Sequence, residues 1–194
     1  MTARSVRSRD DVVRAAGRLF ASRGYHGTSM RDLAAELGLL GSSLYSHIDS
    51  KEALLVEVVE RGAALFQQSA TAALKVEGPA VTRLKALVVG HVDVILDNLD
   101  EVRTFLYEAD VLDQTHRARV LAARDRYEQA FRQVLAEGQK DGSLRPSIDP
   151  TISAIFMLSI LNAIDRWYDP EGRLDRRRLA DAILAFTLAG IGSP

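Results

Sequence analysis

The chain has 194 residues, 47% hydrophobic and 26% charged, with a net charge of −1 and no cysteine. That balance suits a soluble globular protein and excludes disulfides, thiolate metal sites and a cysteine nucleophile. The opening residues, MTARSVRSRDD, are basic with no apolar core behind them, and no run of about 18 apolar residues follows. Neither a secretory signal nor a membrane span is therefore expected, and the cytoplasm is the expected compartment. The charge is unevenly spread: residues 1–51 hold eight Lys/Arg against five Asp/Glu, and the rest hold 17 against 21. A basic front on an acidic body suits a segment that faces a polyanion, although chance explains an imbalance of this size about as well.

From residue 9 onward the periodicity predicts helices, and no alternating β-branched run argues for a strand. The first helix covers about 9–23, with Val12, Val13, Ala16, Leu19 and Phe20 on its apolar face and Gly24 as its stop. The second follows Thr28-Ser29, with Asp32 near the capping-box position, Met30, Leu33, Ala34 and Leu37 as its stripe, and Gly38 at its end. A short third helix covers 41–48, and a fourth opens at Ser50 and runs to about 75. After Glu77-Gly78-Pro79, a fifth helix carries Leu84, Leu87, Val88, His91 and Ile95 on one face. The sixth spans about 100–110, and the seventh, about 113–138, has Val120, Ala123, Tyr127, Phe131 and Val134 on its stripe. A turn-rich loop at 141–150 leads to an eighth helix over about 150–168 and a ninth over about 175–191. The expected fold class is all-α with nine helices.

The stretch GLLG, residues 38–41, joins two short helices through a tight glycine turn, and the first helix is placed to cover them. That is the pattern of a helix-turn-helix, whose second helix lies in the DNA major groove. Leu44 and Ile48, four apart, would anchor that helix, while Gly41, Ser42 and Ser43 leave its front bare for close approach. Tyr45 and His47 are placed to reach a phosphate or base edge, and Lys51 begins the next helix, where its charge and the positive helix end favour a phosphate. Arg4, Arg7 and Arg9 form an arm suited to the backbone or a minor groove; a basic tail without a contact is the bland alternative. Residues 40–50 contain no Arg, Lys, Asn or Gln. Base discrimination would then rest on serine hydroxyls, Tyr45, thymine methyl contacts and groove shape.

Residues 9–59, with the segment AAGRLFASRGYHGTSMRDLAAELGLLGSSLYSHIDSKEALL, resemble the TetR family of transcriptional regulators. The resemblance implies a TetR-like two-domain helical protein that acts as a homodimer: a three-helix DNA-binding domain over 1–52 and a ligand-binding and dimerisation domain over 53–194. It implies phosphate contacts at Thr28, Tyr45, His47 and Lys51, with Ser42, Ser43 and Ser46 nearest the bases and Ser29 beside them. The sequence departs from the family pattern at Leu40, where a Ser or Thr cap is usual, and at Ile48, where Phe is usual.

The segments TISAIFMLSILNAI and LADAILAFTLAGIG are apolar nearly all round. A helix without a polar face needs cover on both sides, which a two-fold homodimer through the eighth and ninth helices supplies; a fully buried core helix is the alternative. Such a dimer suits a pseudo-palindromic double-stranded operator. Polar groups on otherwise apolar faces mark candidate effector contacts: His91, Tyr127, Ser159 and Asn162. Phe105, Phe131, Phe156 and Trp167 are the candidate walls. Each has a plainer reading as a hydrogen-bonded or packed core residue. The segment NAIDRWYDPEGRLDRRRLADAI is similar to the branch of the same family that senses acyl-CoA thioesters, through Arg166, Trp167, Tyr168, Pro170, Gly172, Arg173 and Leu174. A structural linker, with Asp175 capping the last helix and Arg176–Arg178 in solvent, is the alternative.

No G-x-S-x-G, glycine-rich phosphate loop or H-E-x-x-H occurs, so an enzyme is not expected. No cofactor or metal is expected either, His91 and His116 alone being weak ligands for one. The expectation is a ligand-responsive repressor released from DNA by a small molecule, an acyl-CoA thioester being one candidate class. The alternatives are a regulator of the same type sensing another hydrophobic compound, or a non-enzymatic helical oligomerisation protein.

Overall fold

The computed structural model describes residues 8–39, 44, 48–169 and 171–191. All regular elements among them are helical. The chain divides into two compact units, one of residues 1–64 and 98–121 and one of residues 65–97 and 122–194. Among the described residues no helix is long and apolar enough to cross a membrane.

In the first unit, α1 (Arg9–Arg23) starts at a reciprocal capping box between Ser8 and Asp11 and buries Val12, Val13, Ala15, Ala16, Leu19 and Phe20. Gly24, at φ +73°, ends it and donates its N–H to the Phe20 carbonyl. α2 (Met30–Leu37) repeats the device with Ser29 and Asp32, and buries Leu33, Ala34 and Leu37. It stops at Gly38 in the left-handed region, where the Gly38 N–H reaches back to the Ala35 carbonyl and the Leu39 N–H to the Ala34 carbonyl. Those two bonds satisfy carbonyls that the helix end would otherwise orphan. Leu44 and Ile48 are both buried, as anchors of the following segment should be. α3 (Lys51–Leu74) begins where the Ser50 hydroxyl accepts the Ala53 N–H.

α5 (Leu99–Tyr107), with a 3-10 turn at Ala109–Val111, packs against α1 in this unit. Two glycines permit the close approach. Gly17 of α1 lies against Val58 of α3 and Asp100 of α5. A Cβ on Gly62 of α3 would fall 2.8 Å from Phe105 Cβ and 2.9 Å from the Glu101 carbonyl oxygen. The Thr104 hydroxyl donates to the Asp100 carbonyl, so this buried polar group is satisfied within α5. Ion pairs fringe the unit: Arg9 grips Glu57 with two nitrogens, and Arg61 meets Asp10. Arg9 therefore belongs to α1 and not to a loose arm.

In the second unit, α4 (Ala80–Asp97) buries the predicted face of Leu84, Leu87, Val88, His91 and Ile95. The Asp141 carboxylate accepts the Ala80 N–H at 2.7 Å, capping α4 from the loop after α6. α6 (Gln114–Lys140) runs from the first unit into the second, where Tyr127, Phe131 and Val134 are buried. α7 (Pro150–Asn162) is capped by Asp149 and has proline in its first turn. α8 (Ile164–Trp167) is a single turn, and α9 (Arg176–Ile191) starts after Asp175, whose carboxylate accepts the Arg178 N–H. α4 packs against α7, α8 and α9. The predicted continuous helix over 150–168 is interrupted at Ala163. No proline or glycine stands there; the interruption lies where Ile164 and Asp165 turn into the interior.

Candidate functional site

The predicted polyanion-facing residues fall into two groups. Arg4, Arg7, Ser42, Ser43, Tyr45, Ser46 and His47 lie outside the described residues, as does Leu40. Thr28, Ser29 and Lys51 are described, and all three act within the protein. Thr28 is 1% exposed, and its hydroxyl lies 3.0 Å from the Gly24 carbonyl and 3.3 Å from that of Leu19. It ties the α1–α2 turn to α1, and its burial leaves no side-chain surface for the phosphate contact that the resemblance implies. Ser29 caps α2 through its hydroxyl.

Lys51 stands at the start of α3 and reaches across to the same turn. Its ammonium donates to the Tyr25 carbonyl at 2.9 Å and the Thr28 carbonyl at 2.7 Å, and sits 4.0 Å above the centre of the Tyr25 ring. An ammonium has three protons, so two are engaged by backbone and the third is left for another acceptor. The same turn is held from α5: the Glu108 carboxylate accepts the Tyr25 N–H at 3.1 Å. Tyr25 and Glu108 were not singled out in the sequence. Tyr25, set between Gly24 and Gly27, carried a turn signal; Glu108 carried none, since its partner is 83 residues away.

The interior polar cluster lies wholly in the second unit. His91 of α4 is 1% exposed and its Nδ1 is 3.0 Å from the Tyr127 hydroxyl of α6. Phe66 of α3 packs on both rings, with centroids 4.8 Å from His91 and 5.1 Å from Tyr127, and Phe131 lies 5.5 Å from Tyr127. Burial pushes the imidazole down to about 3, with the Asn162 side chain pulling weakly the other way. Burial likewise pushes the Tyr127 phenol upward. Both groups are thus neutral across ordinary pH. Asn162 approaches the imidazole, yet Nε2 makes no hydrogen bond of acceptable geometry.

The other predicted effector residues are placed elsewhere. Phe156 is 65% exposed and Ser159 is exposed, its hydroxyl turned back on the Ile155 carbonyl. Both lie on the outer side of α7 with Ile152, Ile155 and Ile160, whereas Ala154, Met157 and Leu161 face inward. Because α7 is apolar on every side, its sequence gave no sign of which side was which. Arg166 and Trp167 are exposed on α8, and Phe105 is buried in the first unit. Arg176 is clasped by Asp97 at 2.6 and 3.0 Å and by Asp93 at 3.2 Å, which fastens α9 to α4. His116 pairs with Asp113 in the first unit, so the two histidines considered as metal ligands do not share an interior. Among the described residues no group of three or more His, Asp or Glu is arranged to hold a metal ion.

Against known proteins, residues 12–58 match the domain of bacterial regulatory proteins of the tetR family, and residues 77–191 match the tetracyclin repressor-like C-terminal domain. The HTH-type transcriptional repressor KstR2 of Rhodococcus jostii is 31% identical over 189 residues, covering 96% of this chain and 92% of that one. The structure of the ketosteroid transcriptional regulator KstR2 of Mycobacterium tuberculosis superposes with a TM-score of 0.91 at 26% identity, over all of both chains. That of AibR in complex with isovaleryl coenzyme A and operator DNA superposes at 0.83 with 29% identity, over 92% of this chain and 96% of that one.

Thr28→Val keeps the volume and removes the hydroxyl. It should lower the stability of the free protein by about 1–2 kcal/mol, read as a lower urea midpoint. A side chain serving only a phosphate would leave that midpoint where it was. His91 gives a pH signature. Its folded value lies below the ordinary 6.5, so between about 6.5 and about 3 the unfolded chain holds a proton that the folded chain refuses. Its contribution is fully present above that window and falls by about 1.4 kcal/mol per pH unit within it. The stability advantage of wild type over His91→Phe should therefore shrink between pH ~7.5 and ~5; a constant difference would mean a solvated imidazole.

Proposed function

The chain belongs to the TetR family of bacterial regulatory proteins and is a ligand-responsive DNA-binding transcriptional regulator, not an enzyme; on that premise we propose that it is a cytoplasmic homodimeric repressor, released from a pseudo-palindromic operator by an acyl-CoA thioester. The observation that carries the reading is the fold's match along almost its whole length to AibR, a protein solved in complex with isovaleryl coenzyme A and operator DNA.

In this reading residues 1–52 bind the duplex, and residues 53–194 hold the effector and the second subunit. Ser42, Ser43, Tyr45, Ser46 and His47 face the groove, and Arg4 and Arg7 follow the backbone. Thr28 and Ser29 fix the turn that carries them, and Lys51 offers its remaining proton to a phosphate. Effector contacts centre on His91, Tyr127, Phe131 and Asn162, the predicted residues gathered about the interior of the second unit.

The dimer reading rests on exposed apolar side chains. Phe156 is 65% and Phe186 71% exposed, and Ile152, Ile155 and Ile160 accompany Phe156 on α7. Apolar groups of this size, left bare on two helices of one unit, suit a self-complementary surface. A second reading, an apolar effector without a CoA moiety, is favoured by one observation. Arg176, an arginine suited to phosphates, is already neutralised by Asp93 and Asp97.

Gel retardation with the DNA upstream of the chain's own gene tests the function. The protein should retard it, with affinity falling ~10³-fold or more between 50 and 200 mM salt if it makes about six phosphate contacts. A panel of acyl-CoA thioesters should restore free DNA, with free coenzyme A as the control. Retardation that no thioester relieves would remove the effector class and leave the DNA-binding regulator. For the dimer, Phe156→Glu combined with Phe186→Glu should give a folded monomer by light scattering, with operator affinity reduced by at least ~100-fold. A double variant still dimeric at micromolar concentration would place the interface elsewhere.

A further inference from the structure

We propose that His91, held by Tyr127 with its Nε2–H directed into the second unit, is the donor that recognises a neutral carbonyl oxygen of the effector. This deepens the effector reading above and rests on the effector binding within residues 53–194.

The hydrogen-bond inventory of the pair carries the inference. Nδ1 of His91 and the Tyr127 hydroxyl are 3.0 Å apart, so one of them donates. If the imidazole donated from Nδ1, the phenolic hydrogen would need a further acceptor and the bare Nε2 a further donor, two needs inside a dry interior. If the phenol donates, the hydroxyl hydrogen and Nδ1 are satisfied together, and a single group is left over: the Nε2–H. The second arrangement leaves fewer buried polar groups unmet and is therefore the stable one. Nε2 is enclosed and makes no hydrogen bond of good geometry, while the Asn162 side chain, at the end of α7 before Ala163, is near enough to favour a proton on the ring.

The lining selects what the donor takes. Phe66 packs on both rings of the pair and Phe131 on that of Tyr127, so the surroundings are aromatic. Burial keeps the imidazole uncharged, so it supplies a hydrogen bond and no counter-charge. A carboxylate brought there would lose its water for one neutral donor, whereas a thioester or ketone carbonyl needs only that donor. The site therefore distinguishes an acyl thioester from its free acid.

The test uses full-length protein with isotope-labelled histidine and four probes: decanoyl-CoA, its S-decyl thioether lacking the carbonyl oxygen, decanoic acid and methyl nonyl ketone. The thioester and the ketone should shift the His91 Nε2–H resonance, and the thioether and the acid should not. Wild type should bind the thioester ~10-fold more tightly than the thioether, one net hydrogen bond. That preference should vanish in His91→Phe and persist in His91→Gln, which keeps a donor. A resonance unmoved by both carbonyl probes, equal binding of acid and thioester, or a preference surviving in His91→Phe each overturns the assignment. If the ketone shifts the resonance but no thioester frees the operator, the carbonyl donor stands and the CoA reading falls. If thioesters free the operator equally from wild type and His91→Phe, the CoA reading stands and the donor falls.

Discussion

A short run of chain buries little apolar surface by itself, and the first unit answers that constraint by drawing on segments distant in sequence. It enlists α5, the 3-10 turn and the start of α6, segments 98–121, alongside residues 1–64. The approach is close because Gly17 and Gly62 carry no side chain where the helices meet.

Much of the architecture was legible because helix ends are written in local chemistry. Ser29 with Asp32, Gly24, Gly38 and Asp175 each act within a few residues of themselves, and each does what its type and position imply. The face of α4 was legible because Leu84, Leu87, Val88, His91 and Ile95 recur at the helical period and all face the interior. Features that depend on distant partners were not legible. The break at Ala163 has no local breaker. For Lys51, nothing in the sequence shows that the carbonyls of residues 25 and 28 lie beneath it.

The interior site was legible in part for a similar reason. His91 and Tyr127 stood out as polar residues on apolar stripes, a contrast the period exposes. Phe156 and Ser159 lie on a helix with no such contrast, so their outward direction is set by tertiary packing alone. Phe66 was not singled out in the sequence, yet its ring lies against both His91 and Tyr127.

The turn from Gly24 to Ser29 has a consequence for the rigidity of the first unit. Four elements grip those six residues: the end of α1 through Thr28, the start of α2 through Ser29, the first residue of α3 through Lys51 and the end of α5 through Glu108. Its conformational freedom is surrendered when the chain folds, not when DNA arrives. A turn braced in this way keeps α1 and α2 in one arrangement, with little backbone freedom left for any later contact to remove.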